Sequence, residues 1–309
     1  MNSIAEITRI EQETKELIDN LKRTCASHGL SNDGNEYKII TQVFLYKYFN
    51  DKFGYEAKRV RGGGYGARLS AAEKWDAEYD KFTEDEVEDL FSYLPSGTPR
   101  LKPCHTISHL YNAQQQGDFS TLFDATMVDI ANLNAGIFSM ATVGDTKLTI
   151  FENITVFVPD VQQRDQFAVS LMKNIAGFNF EKVFIQKYDF FSTIFEYLIK
   201  DYNKDGGGKY AEYYTPKAVA SIMARLLVPQ NTNLHSVTCY DPSAGSGTLL
   251  MAIAHQIGRE KCQIYSQDIS QKSSQMLRLN LILNKQVKSI QNIVKGDTLL
   301  EPAHKDASG

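Results

Sequence analysis

Residues 241–248, Asp-Pro-Ser-Ala-Gly-Ser-Gly-Thr, set two glycines between a strand-like run (VTCY) and an apolar helical pattern at 247–258. Glycine at 245 and 247 lets the backbone turn tightly, and it lets a ligand approach without a Cβ in the way. Strand, glycine turn and helix are then followed by a second strand-like run (QIYSQD), a helical pattern at 271–284 and a third strand-like run (NIVKGD). A βαβαβ series of this kind requires a parallel sheet covered by helices, an α/β domain.

The same stretch narrows the ligand. Asp268 stands twenty-one residues beyond Gly247, at the end of the second strand-like run. An acidic residue at that place can accept both hydroxyls of a ribose. A plain βα turn with a helix-capping aspartate accounts for the glycines and Asp268 as well. A dinucleotide fingerprint wants a third glycine, but Leu250 occupies its position, and Gly206-Gly-Gly-Lys209-Tyr210 lacks the strand and the Ser or Thr of a P-loop. Upstream lies Glu212-Tyr213-Tyr214-Thr215-Pro216-Lys217. Thr215 as N-cap and Pro216 at the first helical position predict a helix over 216–227, with Val219, Ile222, Met223, Leu226 and Leu227 on one face. Its N-terminus offers a seat for a carboxylate.

The first two-thirds reads differently. Residues 3–27 carry mixed charge and few apolar positions, which predicts an exposed helix, and 36–53 shows a strong helical stripe. Thr83-Glu84-Asp85-Glu86 fits a capping box opening a helix through Leu94. Helical patterns follow at 105–116, 119–132, 162–176 and 189–203, with a strand or hairpin arm at 147–158. Asp201–Lys209 reads as a polar, glycine-rich linker. The predicted organisation is a helical domain over 1–205 and an α/β domain over 206–309. The four cysteines lie far apart, with no CxxC pair, and read as reduced thiols of a cytoplasmic protein. No apolar run approaches the ~18 residues of a membrane span.

With these residues in view, a family resemblance becomes specific. Lys209–Val219 (KYAEYYTPKAV) is similar to the segment preceding the glycine motif in modification subunits of type I restriction-modification systems, which methylate adenine in DNA at N6. Asp-Pro-x-x-Gly-x-Gly resembles the first motif of amino-methyltransferases, and Lys295-Gly-Asp297-Thr-Leu299 resembles a later one. Phe190–Tyr202 and Gln42–Phe53 resemble the family's helical parts. The resemblance implies a helical N-terminal domain followed by a Rossmann-like methyltransferase domain that uses S-adenosylmethionine. It implies that Glu212, Tyr213, Tyr214, Thr215, Pro216, Lys217, Asp241, Gly245, Ser246, Gly247, Thr248 and Asp268 surround that cofactor, with Asp297 near its adenine. It also implies DNA as substrate, with a sequence-specificity (S) subunit and a restriction (R) subunit as partners. A net charge of −4 fits a protein whose partners supply much of the grip on phosphates.

One departure matters. The family's Asn-Pro-Pro-aromatic motif, which holds the target amino group, is absent, since none of the eight prolines is adjacent to another. The expectation is a shortened chain that has no catalytic residue of its own, is inactive alone, and leaves VTCY at an unpaired apolar edge. A methyltransferase acting on another substrate and a non-catalytic assembly module are the competing readings. Cys104-His105-x-x-x-His109 is too sparse for zinc, so no metal is expected. The basic glycine loop Arg59–Arg68 could touch phosphates but suits a solvated turn better. His255 is expected to pack within its helix, and the N-terminal Tyr and Phe stripes to form core.

Overall fold

The computed structural model describes residues 2–31, 34–115, 117–143, 146–184, 190, 193–198, 215–228 and 234–305. They divide into two units, Met1–Ala135 with Ile150–Phe190, and Gly136–Thr149 with Phe191–Gly309. The linker expected at 201–209, and with it the boundary at 205, lies outside the described residues.

The first unit is helical. Its longer helices are α1 (Asn2–Ser27), α2 (Gly34–Ala57), α3 (Tyr65–Ala71), α4 (Trp75–Tyr79), α5 (Glu84–Tyr93), α6 (Ile107–Ala113), α7 (Phe119–Leu133) and α8 (Arg164–Ala176). Helix α1 corrects the expectation of an exposed helix. Ile10, Thr14, Leu17, Leu21 and Cys25 recur every three or four residues and are buried, so even a sparse stripe suffices to dock it. Helix α2 is buried on nearly every side, including Lys47 and Asp51, whose side chains pair at 2.9 Å. Asp51 also accepts from the Phe180 amide at 2.8 Å, and Asn50 accepts from the Ile107 amide at 3.0 Å. These polar groups are tolerated in the core because each is hydrogen-bonded. Phe44, Phe49, Phe53, Phe119 and Phe123 are fully buried, as the aromatic stripes predict. The capping box forms as read: Thr83 and Glu86 each accept from the other's backbone N–H.

The second unit holds a five-stranded sheet in the order β2-β1-β5-β4-β3, where β1 is Met140–Thr142, β2 Lys147–Leu148, β3 Val237–Asp241, β4 Cys262–Asp268 and β5 Ile293–Lys295. The pairs β3–β4, β4–β5 and β1–β5 are parallel, and only β2 runs antiparallel, against β1. Helix α9 (Lys217–Leu227) precedes β3, while α10 (Thr248–Ile257) and α11 (Gln271–Leu283) join the three consecutive strands. This is the predicted βαβαβ series, with helices and strands where the patterns put them.

Three features depart from expectation. The arm predicted at 147–158 is a strand only at Lys147–Leu148, and its partner is Met140–Thr142. The pair adds to the far edge of the sheet because Ala141 meets Val294 in parallel register. Arg278 of α11, 4% exposed, then donates to the carbonyls of Phe138 and Leu148 and holds the hairpin. In α9 the buried face is Ala220 and Ala224, while Val219, Ile222, Met223, Leu226 and Leu227 are exposed among the described residues. Small alanines permit close helix–helix approach to α10, which turns the larger side chains outward. His255 is exposed on α10 and does not pack.

Candidate functional site

The turn after β3 is built for close approach. Gly245 and Gly247 adopt φ of 54° and 77°, left-handed values that favour glycine. A Cβ at Gly247 would stand 2.2 Å from Leu277 Cδ1, so the turn lies directly against α11. Asn280 of the same helix donates to the Ser246 carbonyl at 2.9 Å and in turn accepts from Asn284 at 2.7 Å. Ser246 and Thr248 share a hydroxyl hydrogen bond at 3.0 Å at the start of α10.

Asp268 reaches this turn from the end of β4. One carboxylate oxygen accepts from the Gly245 amide at 2.9 Å and the other from the Ser270 amide at 2.8 Å. A carboxylate has about four lone-pair positions, so two backbone bonds leave room for two hydroxyl donors. Asp241 accepts from the Ser243 amide at 2.9 Å, which shapes the first residues of the turn. Asp297 follows β5 and accepts from the amides of Leu299 and Leu300. Thr298 donates to the Pro242 carbonyl at 2.7 Å, and the Gly296 amide donates to the Asp268 carbonyl at 3.0 Å. The three carboxylates therefore sit half-buried at the carboxyl ends of three neighbouring parallel strands. Ligands of open α/β sheets bind at that end of the strands.

The structure thus brings Asp241, Gly245, Ser246, Gly247, Thr248, Asp268 and Asp297 together. Glu212, Tyr213 and Tyr214 lie outside the described residues. Thr215 and Pro216 are described, but the helix opens one residue later than expected. Pro216, at ψ 133°, is its N-cap, and its carbonyl accepts from the Ala220 amide at 3.0 Å. Lys217, the first helical residue, pairs with Glu196 at 3.6 Å. The sequence reading missed Leu277, Asn280 and Thr298, which shape the turn from a distance in sequence. It also missed Ile269, which is 68% exposed beside Asp268 as an apolar surface on the rim. Only its place after the acidic residue could have singled it out.

Other candidates are occupied. His105 Nε2 pairs with Asp129 at 2.8 Å and its Nδ1 accepts from the Lys102 amide at 3.2 Å, and His109 faces Asp80 at 3.6 Å. Burial pushes the His105 pKa down, against the pull of Asp129. In the loop Arg59–Arg68, Arg59 lies 3.5 Å over the Tyr55 ring and Arg68 is bonded to Glu78 and Glu86, so two of its three arginines support the turn itself. A cleft of about 720 Å³ in the helical unit is lined by Asp118, Asp124, Asp129 and Asp165 beside Arg164, a charge balance unsuited to phosphates. No described helix is long and apolar enough to cross a membrane.

Residues 186–308 match the family described as N-6 DNA Methylase. The chain is 31% identical over 114 residues to the type I restriction enzyme MpnII methylase subunit of Mycoplasma pneumoniae, covering 36% of this chain and 21% of that one. It is 26% identical over 111 residues to the HindI methylase subunit of Haemophilus influenzae, covering 34% and 24%. The matched segments thus span less than a quarter of the curated relatives. The crystal structure of the type I restriction-modification system methyltransferase subunit from Streptococcus thermophilus superposes with a TM-score of 0.67 at 20% identity, covering 97% of this chain and 61% of that one. These matches bear out the family resemblance read from the residues and the order of a helical region followed by a Rossmann-like methyltransferase domain.

Proposed function

We propose that this chain, whose residues 186–308 match the N-6 DNA methylases, supplies the cofactor-binding part of an adenine-N6 DNA methyltransferase subunit of a type I restriction-modification system. The observation that carries the reading is the union of Asp268 with the glycine turn: the acid at the end of β4 holds the Gly245 amide at 2.9 Å. S-adenosylmethionine fits this arrangement, having a ribose and no phosphate, and when bound it supplies the methyl group. Asp268 would accept its ribose hydroxyls, Ile269 would offer an apolar surface to its adenine, and Asp297 would face the adenine. Gly245, Ser246, Gly247 and Thr248 let the backbone approach, with Asp241 shaping the turn. Thr215, Pro216 and Lys217, at the start of α9, and Glu212, Tyr213 and Tyr214, which precede them in sequence, would hold the methionyl end.

The substrate is DNA, whose target adenine is flipped from the stack to meet the methyl group. The grip on that base belongs to the Asn-Pro-Pro-aromatic motif, which these 309 residues do not contain. The chain alone therefore transfers no methyl group. Its partners are a specificity subunit, which reads the DNA sequence, and a restriction subunit, and it works in the cytoplasm.

Labelled S-adenosylmethionine tests the cofactor. Retention by the protein, displaced by S-adenosylhomocysteine but not by NAD or ATP, is the expected result. Displacement by NAD would return the glycine turn to the dinucleotide folds. A second incubation, with unmethylated DNA and a specificity subunit, should leave adenine N6 unlabelled. Label at N6 would show that catalysis does not need the missing motif.

A further inference from the structure

Two of the four cysteines meet in the sheet. Cys239 lies in the middle of β3 and Cys262 opens β4, and their sulfurs are 3.3 Å apart. The strands pair Val237 with Cys262 and Cys239 with Ile264, so the two cysteines are diagonal neighbours. Both thiols are free, Cys239 half-buried and Cys262 buried. A disulfide needs sulfurs ~2.05 Å apart, so the remaining gap of little more than an ångström is within reach of side-chain rotation. Strand β3 is the sheet's edge among the described residues, held by β4 alone. We propose that Cys239 and Cys262 form a reversible dithiol–disulfide pair that fastens β3 to β4.

The chemistry runs by exchange with a small-molecule disulfide such as oxidised glutathione. The Cys239 thiolate attacks one sulfur of the glutathione disulfide, that bond breaks, and one glutathione thiolate leaves and takes up a proton. Cys262 then gives up its proton and attacks the Cys239 sulfur, expelling the second glutathione. The protein loses two electrons and two protons, and the small disulfide gains both. Cys239 is suited to the first attack, because it is the more accessible of the two, and the hydrogen bond from the Cys262 thiol lowers its pKa against the opposing effect of burial. Cys262 holds its proton more firmly, since it donates that proton to Cys239 and is buried. It acts second, when the neighbouring sulfur is already activated.

The bond would join the strands that carry Asp241 and Asp268, on which the glycine turn is hung. It adds a covalent tie to the hydrogen-bond ladder between β3 and β4. Exposed Cys104 supplies an internal comparison, having no cysteine partner in contact.

The test treats the protein with oxidised glutathione and maps its peptides by mass spectrometry without reduction. The expected products are a linked Cys239–Cys262 peptide, loss of two thiols from the four beyond any adduct at Cys104, and slowed amide exchange across β3. Dithiothreitol should reverse all three. In Cys262→Ser, glutathione should instead remain attached at Cys239. Glutathione left on Cys239 in the unsubstituted protein, linkage through Cys104 or Cys25, or a linked peptide with unchanged β3 exchange would each overturn the proposal. The unsubstituted chain decides the outcome even where a variant folds poorly.

Discussion

A methyl group at position 247 would meet Leu277 Cδ1 at 2.2 Å, on a backbone already at φ 77°. Gly247→Ala is therefore expected to destabilise the second unit by about 1–3 kcal/mol, the range for a non-glycine residue held in a sparsely populated backbone region. Adding Leu277→Ala relieves the collision but not the backbone strain. Denaturant melts of the two variants should show Gly247→Ala costing less on the Leu277→Ala background than alone. An equal cost on both backgrounds would mean that the turn does not rest on α11. His105 gives a pH signature. Burial lowers its folded pKa below the usual 6.5, so the unfolded chain takes up the proton first. The stability that His105 contributes is thus present above about pH 6.5 and lost as pH falls through that value towards the folded one. Thermal midpoints across this window should fall in the unsubstituted protein, with a shallower slope in His105→Asn.

Among the elements, α5 opens on a reciprocal cap between Thr83 and Glu86, so Thr83→Ala should cost about 1 kcal/mol in a denaturant melt. That element was legible because the capping box is local, four residues that need only each other. The strands β3, β4 and β5 were legible for a similar reason, with glycine turns and amphipathic helices marking their ends. The pairing of β1 with β5 was not, because a three-residue strand carries no period and its partner lies more than 150 residues away. The site divides in the same manner. Gly245, Gly247 and Asp268 announce themselves by spacing and Asp297 by the family resemblance, whereas Leu277, Asn280 and Thr298 reveal their part only once α11 and the loop after β5 fold onto the turn. The α9 face shows pattern misread as burial, since alanine packing took the place that its larger apolar residues suggested. Replacing Gly136–Thr149 with a short flexible loop tests the unexpected hairpin. It should lower the stability of the second unit, because β5 loses a neighbour and Arg278 loses the carbonyls it holds. An unchanged melt of that unit would remove the hairpin from its core.

The whole molecule joins a helical unit to a unit built on a five-stranded, largely parallel sheet, and it carries a net charge of −4. On the proposed function, this charge leaves much of the grip on DNA phosphates to partner subunits. The central claim is that the glycine turn and Asp268 form one cofactor site. Calorimetric titration of S-adenosylmethionine into the unsubstituted protein and into Asp268→Ala tests it most directly. Loss of hydrogen bonds to a charged group costs ~1.5–3 kcal/mol, so Asp268→Ala should bind roughly ten- to 150-fold more weakly. Equal affinity in the two proteins, both with intact melts, would contradict the account, as would a folded unsubstituted protein that binds no cofactor at all.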